Sequence, residues 1–262
     1  MICPLRRSGV LLLLLLVSFP ASVPAQTPSN GTDVMLLFTE ANSAYRDGRY
    51  HDAACLYQRI IDAGYATGDL YYNLGNTFFK NGAVGSAILN YRKALMLTPR
   101  HEDAQSNLGL ALEQTVDTIQ CQDTARILTN VCFWYPLLNA DEMCAVFLAA
   151  NALFWILCAV KYWFNTDFLT ITRSVILCMA IVFGASLGVK LYAVHIAPDG
   201  IVIAREIMVR AGTSVNDTVL FKLHEGTSFV WKEETEGWVK IELCDGKKGW
   251  VQKETVGRVV LS

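Results

Sequence analysis

Charge is scarce in this chain of 262 residues: 22 basic and 24 acidic residues make up 18% of it, with a formal net charge of −2. Residues 26–140 hold 8 Lys and Arg against 11 Asp and Glu, and residues 195–262 hold 9 against 10. Neither stretch is the basic surface that nucleic acid requires, so no nucleic-acid partner is expected. Signatures of chemistry are lacking too. His51, His101, His195 and His224 are scattered, with no His-Glu-x-x-His and no pairing at metal-ligand spacing. There is no Gly-x-Ser-x-Gly, Walker A or Gly-x-Gly-x-x-Gly motif. A Cys-x-x-Cys is missing as well, which leaves a thioredoxin-like redox motif or a zinc ribbon without support. Spatial triads leave no linear trace, so these absences lower the expectation of an enzyme without removing it. No catalytic residue, metal or cofactor is expected.

What is abundant is apolar: 53% of the residues are hydrophobic and the mean hydropathy is +0.31, more than a soluble globule needs. Residues 1–25 fit a secretory signal. Arg6 and Arg7 form its positive start, Leu11 to Val17 its apolar core, and Val23-Pro24-Ala25 its small-residue cleavage site. An uncleaved anchor is the alternative, and either places residue 30 outside the cytoplasm. Two further runs, 143–163 and 174–194, each hold 21 residues, and a helix of that length spans roughly 31 Å, one bilayer crossing. A buried helical hairpin in a soluble protein is the alternative. The connection 164–173, flanked by Lys161, carries Arg173 against Asp167, while Asp141 and Glu142 precede the first span. That asymmetry favours a cytoplasmic connection, with both soluble parts on the other side. Residues 119–142 are expected to form a juxtamembrane stalk, with Phe133 to Pro136 as an aromatic cluster at headgroup level. Cys144 and Cys158 in the first run and Cys178 in the second read as small buried hydrophobes. A Cys121–Cys132 disulfide is compatible with an oxidising compartment.

Residues 33–118 repeat themselves at an offset of 34. Gly48 aligns with Gly82, Ala53 with Ala87, Tyr57 with Tyr91, and Leu74-Gly75 with Leu108-Gly109. The unit YYNLGNTFFKNGAVGSAILNYRKALMLTP, Tyr71 to Pro99, resembles the tetratricopeptide (TPR) pattern, a helix pair stacked on its neighbours. Gly75 and Ala87 permit close helix approach, the aromatics fill the space around it, and Pro99 ends the second helix. Two full repeats and a capping helix are expected. The resemblance implies a protein-binding groove lined by the first helix of each repeat, at Asn42, Tyr45, Arg46, Tyr72, Asn76, Phe79 and Lys80. It does not extend to the TPR proteins that clamp a C-terminal carboxylate. Asn42 and Asn73 match that clamp, but Phe38, Asp103 and Asn107 stand where cations are required.

From residue 199 the pattern changes to short alternating runs, among them Ile201-Val202-Ile203, Val219-Leu220-Phe221, Phe229-Val230-Trp231, Trp238 to Leu243 and Gly249-Trp250-Val251. Asp245-Gly246 between two such runs signals a tight hairpin. The segments EGT (225–227), GWVKI (237–241) and DGKKGWV (245–251) resemble bacterial SH3-like domains, which implies an all-β barrel over 199–262. By that resemblance Trp231, Trp238 and Trp250 are candidates for a ligand site taking a peptidoglycan peptide or a protein; burial in the small core is the alternative for each. The fold class expected is therefore a multidomain membrane protein: an all-α TPR solenoid, a transmembrane helical hairpin and a C-terminal all-β SH3-like barrel.

This order of parts resembles the TPR membrane proteins of the Bacteroides-type aerotolerance operon, the BatE-like proteins. The resemblance implies a Gram-negative inner-membrane component in a stress or oxygen-tolerance complex, with von Willebrand factor A-type membrane proteins as partners. Biochemical activity is not implied by it; the function expected from the parts is a periplasmic scaffold, in which the TPR groove holds a protein partner and the hairpin keeps it at the membrane, with a cell-wall sensor or anchor acting through the barrel as the alternative.

Overall fold

The computed structural model describes residues 31–117, 132–164, 166–196 and 198–261. The expected signal segment, Cys121 and most of the expected stalk lie outside them. Five short helices come first: α1 (Gly31–Arg46), α2 (Tyr50–Asp62), α3 (Gly68–Lys80), α4 (Val84–Leu97) and α5 (Glu102–Glu113). They pair as α1 with α2 and α3 with α4, with α5 laid against α4, giving two helix pairs and a covering helix. The sequence sets the details. Gly48 and Gly82, one repeat apart, both adopt φ +77° in the turn after a first helix, a region that disfavours residues with a β-carbon. The Thr67 side chain accepts from the Leu70 amide to start α3, and His101 Nδ1 accepts from the Ala104 amide to start α5. Ala53, Ala87 and Ala94 are fully buried, and a β-carbon at Gly75 would lie 2.7 Å from the Tyr91 ring. Helix pairs therefore meet at distances only small residues allow.

Two long helices follow, α6 (Ala140–Trp163) and α7 (Asp167–His195), packed antiparallel. A reciprocal capping box between Asn139 and Glu142 starts α6, and the Thr166 side chain caps α7. Both are long and apolar enough to cross a membrane, and only 11% of the most apolar stretch of each is buried. Large aromatics ring the end where the helices connect: Tyr162, Trp163, Phe164 and Phe168 are all exposed. Such a belt is what a membrane–water boundary selects. The second helix begins inside the connection expected at 164–173. At the other end Trp134 packs on Phe183 at 5.5 Å and lies within 3.4 Å of Ser186 Oγ, so the segment before α6 folds back along α7.

The C-terminal part is an antiparallel sheet of seven strands: β1 (Asp199–Val202), β2 (Glu206–Arg210), β3 (Val219–His224), β4 (Ser228–Thr235), β5 (Trp238–Glu242), β6 (Lys248–Gln252) and β7 (Val256–Arg258). Their order is β3-β2-β6-β5-β4-β1-β7. Residues 243–247 turn β5 into β6 with Gly246 at φ +87°. Strands β2 and β7 are additions to the runs legible in the sequence. Val202, Val209, Trp231, Val239, Ile241 and Val251 form the core of this part.

The sheet does not hang free of the helices. Ile88, Tyr91 and Ala111 of the helical array share one buried cluster with Ile201 and Val259 of the sheet. Gly85 lets the two surfaces close, since a β-carbon there would meet the Val202 carbonyl oxygen at 2.3 Å. The Gly85 amide, at the start of α4, donates to Glu225 Oε1 at 2.8 Å, a carboxylate placed at the positive end of a helix. Because α4 touches β1 and β7 directly, both soluble parts lie at the same end of the α6–α7 hairpin.

The cysteines answer a question the sequence left open. Cys132 is a free thiol, so it is not bridged to Cys121, whereas Cys244 after β5 is disulfide-bonded. Alkylation of the denatured, unreduced protein is expected to label Cys55 and Cys132 and to spare Cys244 until a reductant is added. Peptide mass spectrometry showing Cys244 labelled without reductant would refute this.

Candidate functional site

Two hydrogen bonds recur at equivalent places in the repeats. The Tyr57 hydroxyl on α2 donates to Asn42 Oδ1 on α1 at 2.7 Å, and the Tyr91 hydroxyl on α4 donates to Asn76 Oδ1 on α3 at 2.8 Å. Both tyrosines are almost fully buried. Burial pushes the Tyr57 hydroxyl up to about 12, with Tyr45 adding to the rise and Arg46 opposing it. Burial raises Tyr91 further still. Both therefore remain donors at any physiological pH. Each bond fixes an asparagine on the inner face of a first helix, and Asn107 Nδ2 of α5 adds a second donor to Asn76 Oδ1 at 2.8 Å.

The inner face encloses a cleft of about 470 Å³ between α1 and α3. Met35, Phe38 and Tyr45 give it an apolar side, and Asn42, Asn73, Asn76 and Arg46 give it a polar one. Burial, with Tyr50 and Tyr72 adding to it, raises the Tyr45 hydroxyl above its ordinary value. Asn42 Nδ2 and the Asn73 side chain have no hydrogen-bond partner among the described residues, and Arg46 is exposed without an ion pair there. Chemically the cleft can donate to carbonyl groups of an extended chain while seating an apolar side chain.

Of the seven groove residues expected from sequence, the structure brings Asn42, Tyr45, Arg46 and Asn76 together in this cleft. Tyr72 instead packs on Tyr91 and, at 4.6 Å, on His101, and Phe79 packs on the cluster shared with the sheet. Lys80 is exposed at the end of α3, outside the cleft. The expected groove omitted Met35, Phe38, Thr39 and Asn73. Their signal was the helical spacing of Met35, Thr39 and Asn42, which puts them along one face of α1.

The tryptophans separate by strand register. Trp231 is 6% exposed, stacks on Phe229 at 6.3 Å and belongs to the core, the alternative weighed for it from sequence. In β5 and β6, Trp238 pairs with Gln252 and Lys240 with Trp250, which sets Trp238 and Trp250 on the face opposite Val239 and Val251. Lys240 Nζ lies 5.5 Å from the Trp250 ring centroid, and Trp238 borders a shallow pocket with Glu236 and Lys253. Among the described residues no group of three or more His, Cys, Asp and Glu is placed to hold a metal ion.

Comparison with known proteins agrees with this geometry. Residues 38–102 match a tetratricopeptide repeat family model, and residues 207–257 match a bacterial SH3 domain. Tetratricopeptide repeat protein 16 of Macaca fascicularis and of Homo sapiens are each 33% identical over 70 residues, 27% of this chain. The match covers 8% of the length of those proteins. The chain thus combines a helical TPR region, two apolar helices and a C-terminal antiparallel sheet of the bacterial SH3-like kind. Domains of these kinds serve protein–protein interaction and, for the second, cell-wall binding.

Proposed function

We propose that this protein is a membrane-anchored scaffold without catalytic activity, in which the TPR cleft holds a partner protein and the α6–α7 hairpin keeps it at the bilayer. The observation that carries the reading is the pair formed by Asn42 Nδ2 and the Asn73 side chain, both without a partner among the described residues, beside an apolar wall of Met35 and Phe38. Asparagines that hold an extended peptide by its backbone, with a side chain seated on apolar surface, give affinity without demanding one sequence. Arg46 adds a preference for an acidic or carboxylate-bearing residue in that peptide. The soluble parts face the periplasm in this reading. The disulfide at Cys244 supports it, because such bonds persist in oxidising compartments. The order of the parts, as in the BatE-like proteins, supports von Willebrand factor A-type membrane proteins as partners and a role in oxygen or stress tolerance.

In a crosslinked detergent extract, Arg46→Ala combined with Asn73→Ala is expected to lose the partners that wild type captures. Neither side chain holds the array together, so the variant should melt like wild type. An unchanged partner set at unchanged stability would remove the cleft from the proposal.

A second reading is favoured by the half-buried Trp250 on the outer face of the sheet: a cell-wall anchor in which the sheet binds peptidoglycan peptide. Sedimentation of the detergent-solubilised chain with purified murein separates the two. Pelleting that depends on Trp250 supports an anchor, and a protein that stays in the supernatant supports the scaffold alone.

A further inference from the structure

A second cavity, of about 380 Å³, opens where helical array, hairpin and sheet meet. That volume lies within the range of roughly 300–1,000 Å³ that holds a small ligand. Met96 of α4 and Val194 of α7 give it an apolar floor, and Tyr135 contributes a wall. Charge is contributed by each part in turn: Arg92 from α4, Lys190 from α7 and Asp199 from β1. Arg92 reaches Asp199 at 3.4 Å and donates to Ser228 Oγ at 2.8 Å. Burial, partly countered by Asp199, lowers the Arg92 pKa, so a further anion beside it would be favourable. Asp199 itself remains 59% exposed.

The height of the cavity identifies what surrounds it. Lys190 Nζ donates to the carbonyl oxygens of Tyr135 and Leu138, and Leu138 immediately precedes the Asn139 cap of α6. Lys190 is therefore level with the first turn of α6, just above the point where the apolar run Met143–Trp163 begins. In a bilayer crossed by that run, this is the layer of phospholipid head groups. Basic pockets at this height hold lipid phosphate. A head group with only negative charge would be repelled by Asp199. A choline group brings no N–H to it. An ethanolamine head group brings a phosphate for the two cations and an ammonium for the carboxylate.

We propose that this cavity binds the head group of an amine-bearing phospholipid, its phosphate on Lys190 and Arg92 and its ammonium on Asp199, so that one lipid joins the three parts at the membrane surface. The inference rests on the reading of α6 and α7 as membrane spans. The test uses the full chain in detergent micelles doped with equal amounts of phosphatidylethanolamine, phosphatidylglycerol and phosphatidylcholine, with retained lipid identified by native mass spectrometry. Wild type is expected to retain phosphatidylethanolamine over each of the others by about fivefold, the size one half-exposed ion pair provides. Asp199→Asn should abolish the preference while one lipid is still retained. Lys190→Gln should lose all three, and Lys190→Arg should regain them. Equal retention of the three lipids by wild type, an unchanged preference in Asp199→Asn, or no retained lipid overturns the proposal. The bilayer reading fails separately, if alkaline carbonate releases the chain from membranes.

Discussion

Replacing Tyr91 by alanine is expected to collapse the helical array, whereas Tyr91→Phe should only lower its melting temperature. The ring of Tyr91 is fully buried and stands over the glycine that brings α3 and α4 together. It also belongs to the cluster shared with Ile201 and Val259, so two interfaces depend on it. Removing a buried aromatic ring costs about 3–5 kcal/mol, a large share of the roughly 5–15 kcal/mol that holds a domain folded. Phenylalanine keeps the ring and loses one hydrogen bond, about 1 kcal/mol, and Asn76 Oδ1 still accepts from Asn107. Thermal unfolding of the full chain in micelles, followed by hydrogen exchange at α3 and α4, separates these outcomes from the persistent signal of the membrane helices. Exchange in Tyr91→Ala matching that in Tyr91→Phe would show that the ring does not support the array.

The array was legible in the sequence because its packing is local and recurs. Gly75, Ala87 and Tyr91 each meet neighbours within their own helix pair, and the same needs recur one repeat earlier at Ala53 and Tyr57; Gly109 keeps the sequence period, but a β-carbon there would meet nothing within 4 Å. The hairpin turn at Asp245-Gly246 was legible for a similar reason, since the strands it joins are adjacent in the chain. Helix ends in the hairpin were not. Apolar composition marks where lipid begins, but hydrogen bonding decides where a helix begins, and the Thr166 cap starts α7 at Asp167, several residues before the apolar run. The tryptophans needed strand register, which assigns Trp231 to the core and Trp250 to the outer face. Least legible was the docking of sheet on array. Gly85, Arg92, Glu225 and Gly257 look like ordinary residues of a helix, a turn and a strand, and the two surfaces they belong to meet only because the chain returns from the hairpin to the array.

The largest polar element of that docking is Asp117, just beyond α5, and Asp117→Ala is expected to loosen the sheet from the array while leaving each folded. Its carboxylate accepts from the His224 amide at 2.7 Å, from the Thr227 hydroxyl at 2.6 Å and makes a 2.7 Å contact with His224 Nδ1. The side chain is 18% exposed, so water replaces few of these partners. Hydrogen bonds to a charged group are worth about 1.5–3 kcal/mol each, and three that share one carboxylate do not add fully, so a loss of about 3 kcal/mol is expected. Burial pushes the Asp117 carboxyl up, but the bonds from Thr227 and from the His224 backbone and ring outweigh it and hold it below its ordinary value. A depressed carboxylate stabilises the docked state fully above its unfolded pKa, about 3.9, and loses that contribution as pH falls through the lower folded value. Docking should therefore be insensitive to Asp117 between about pH 5 and 8 and weaken only below about pH 4. Hydrogen exchange at the Gly85 and His224 amides, corrected for intrinsic rates, reports this directly. In Asp117→Ala both amides should lose protection at neutral pH while Val239 and Val251 in the sheet core keep theirs. If Gly85 and His224 stay as protected as in wild type, the docking does not depend on this carboxylate, and the apolar contacts of Ile88, Ile201 and Val259 hold the two parts together without it.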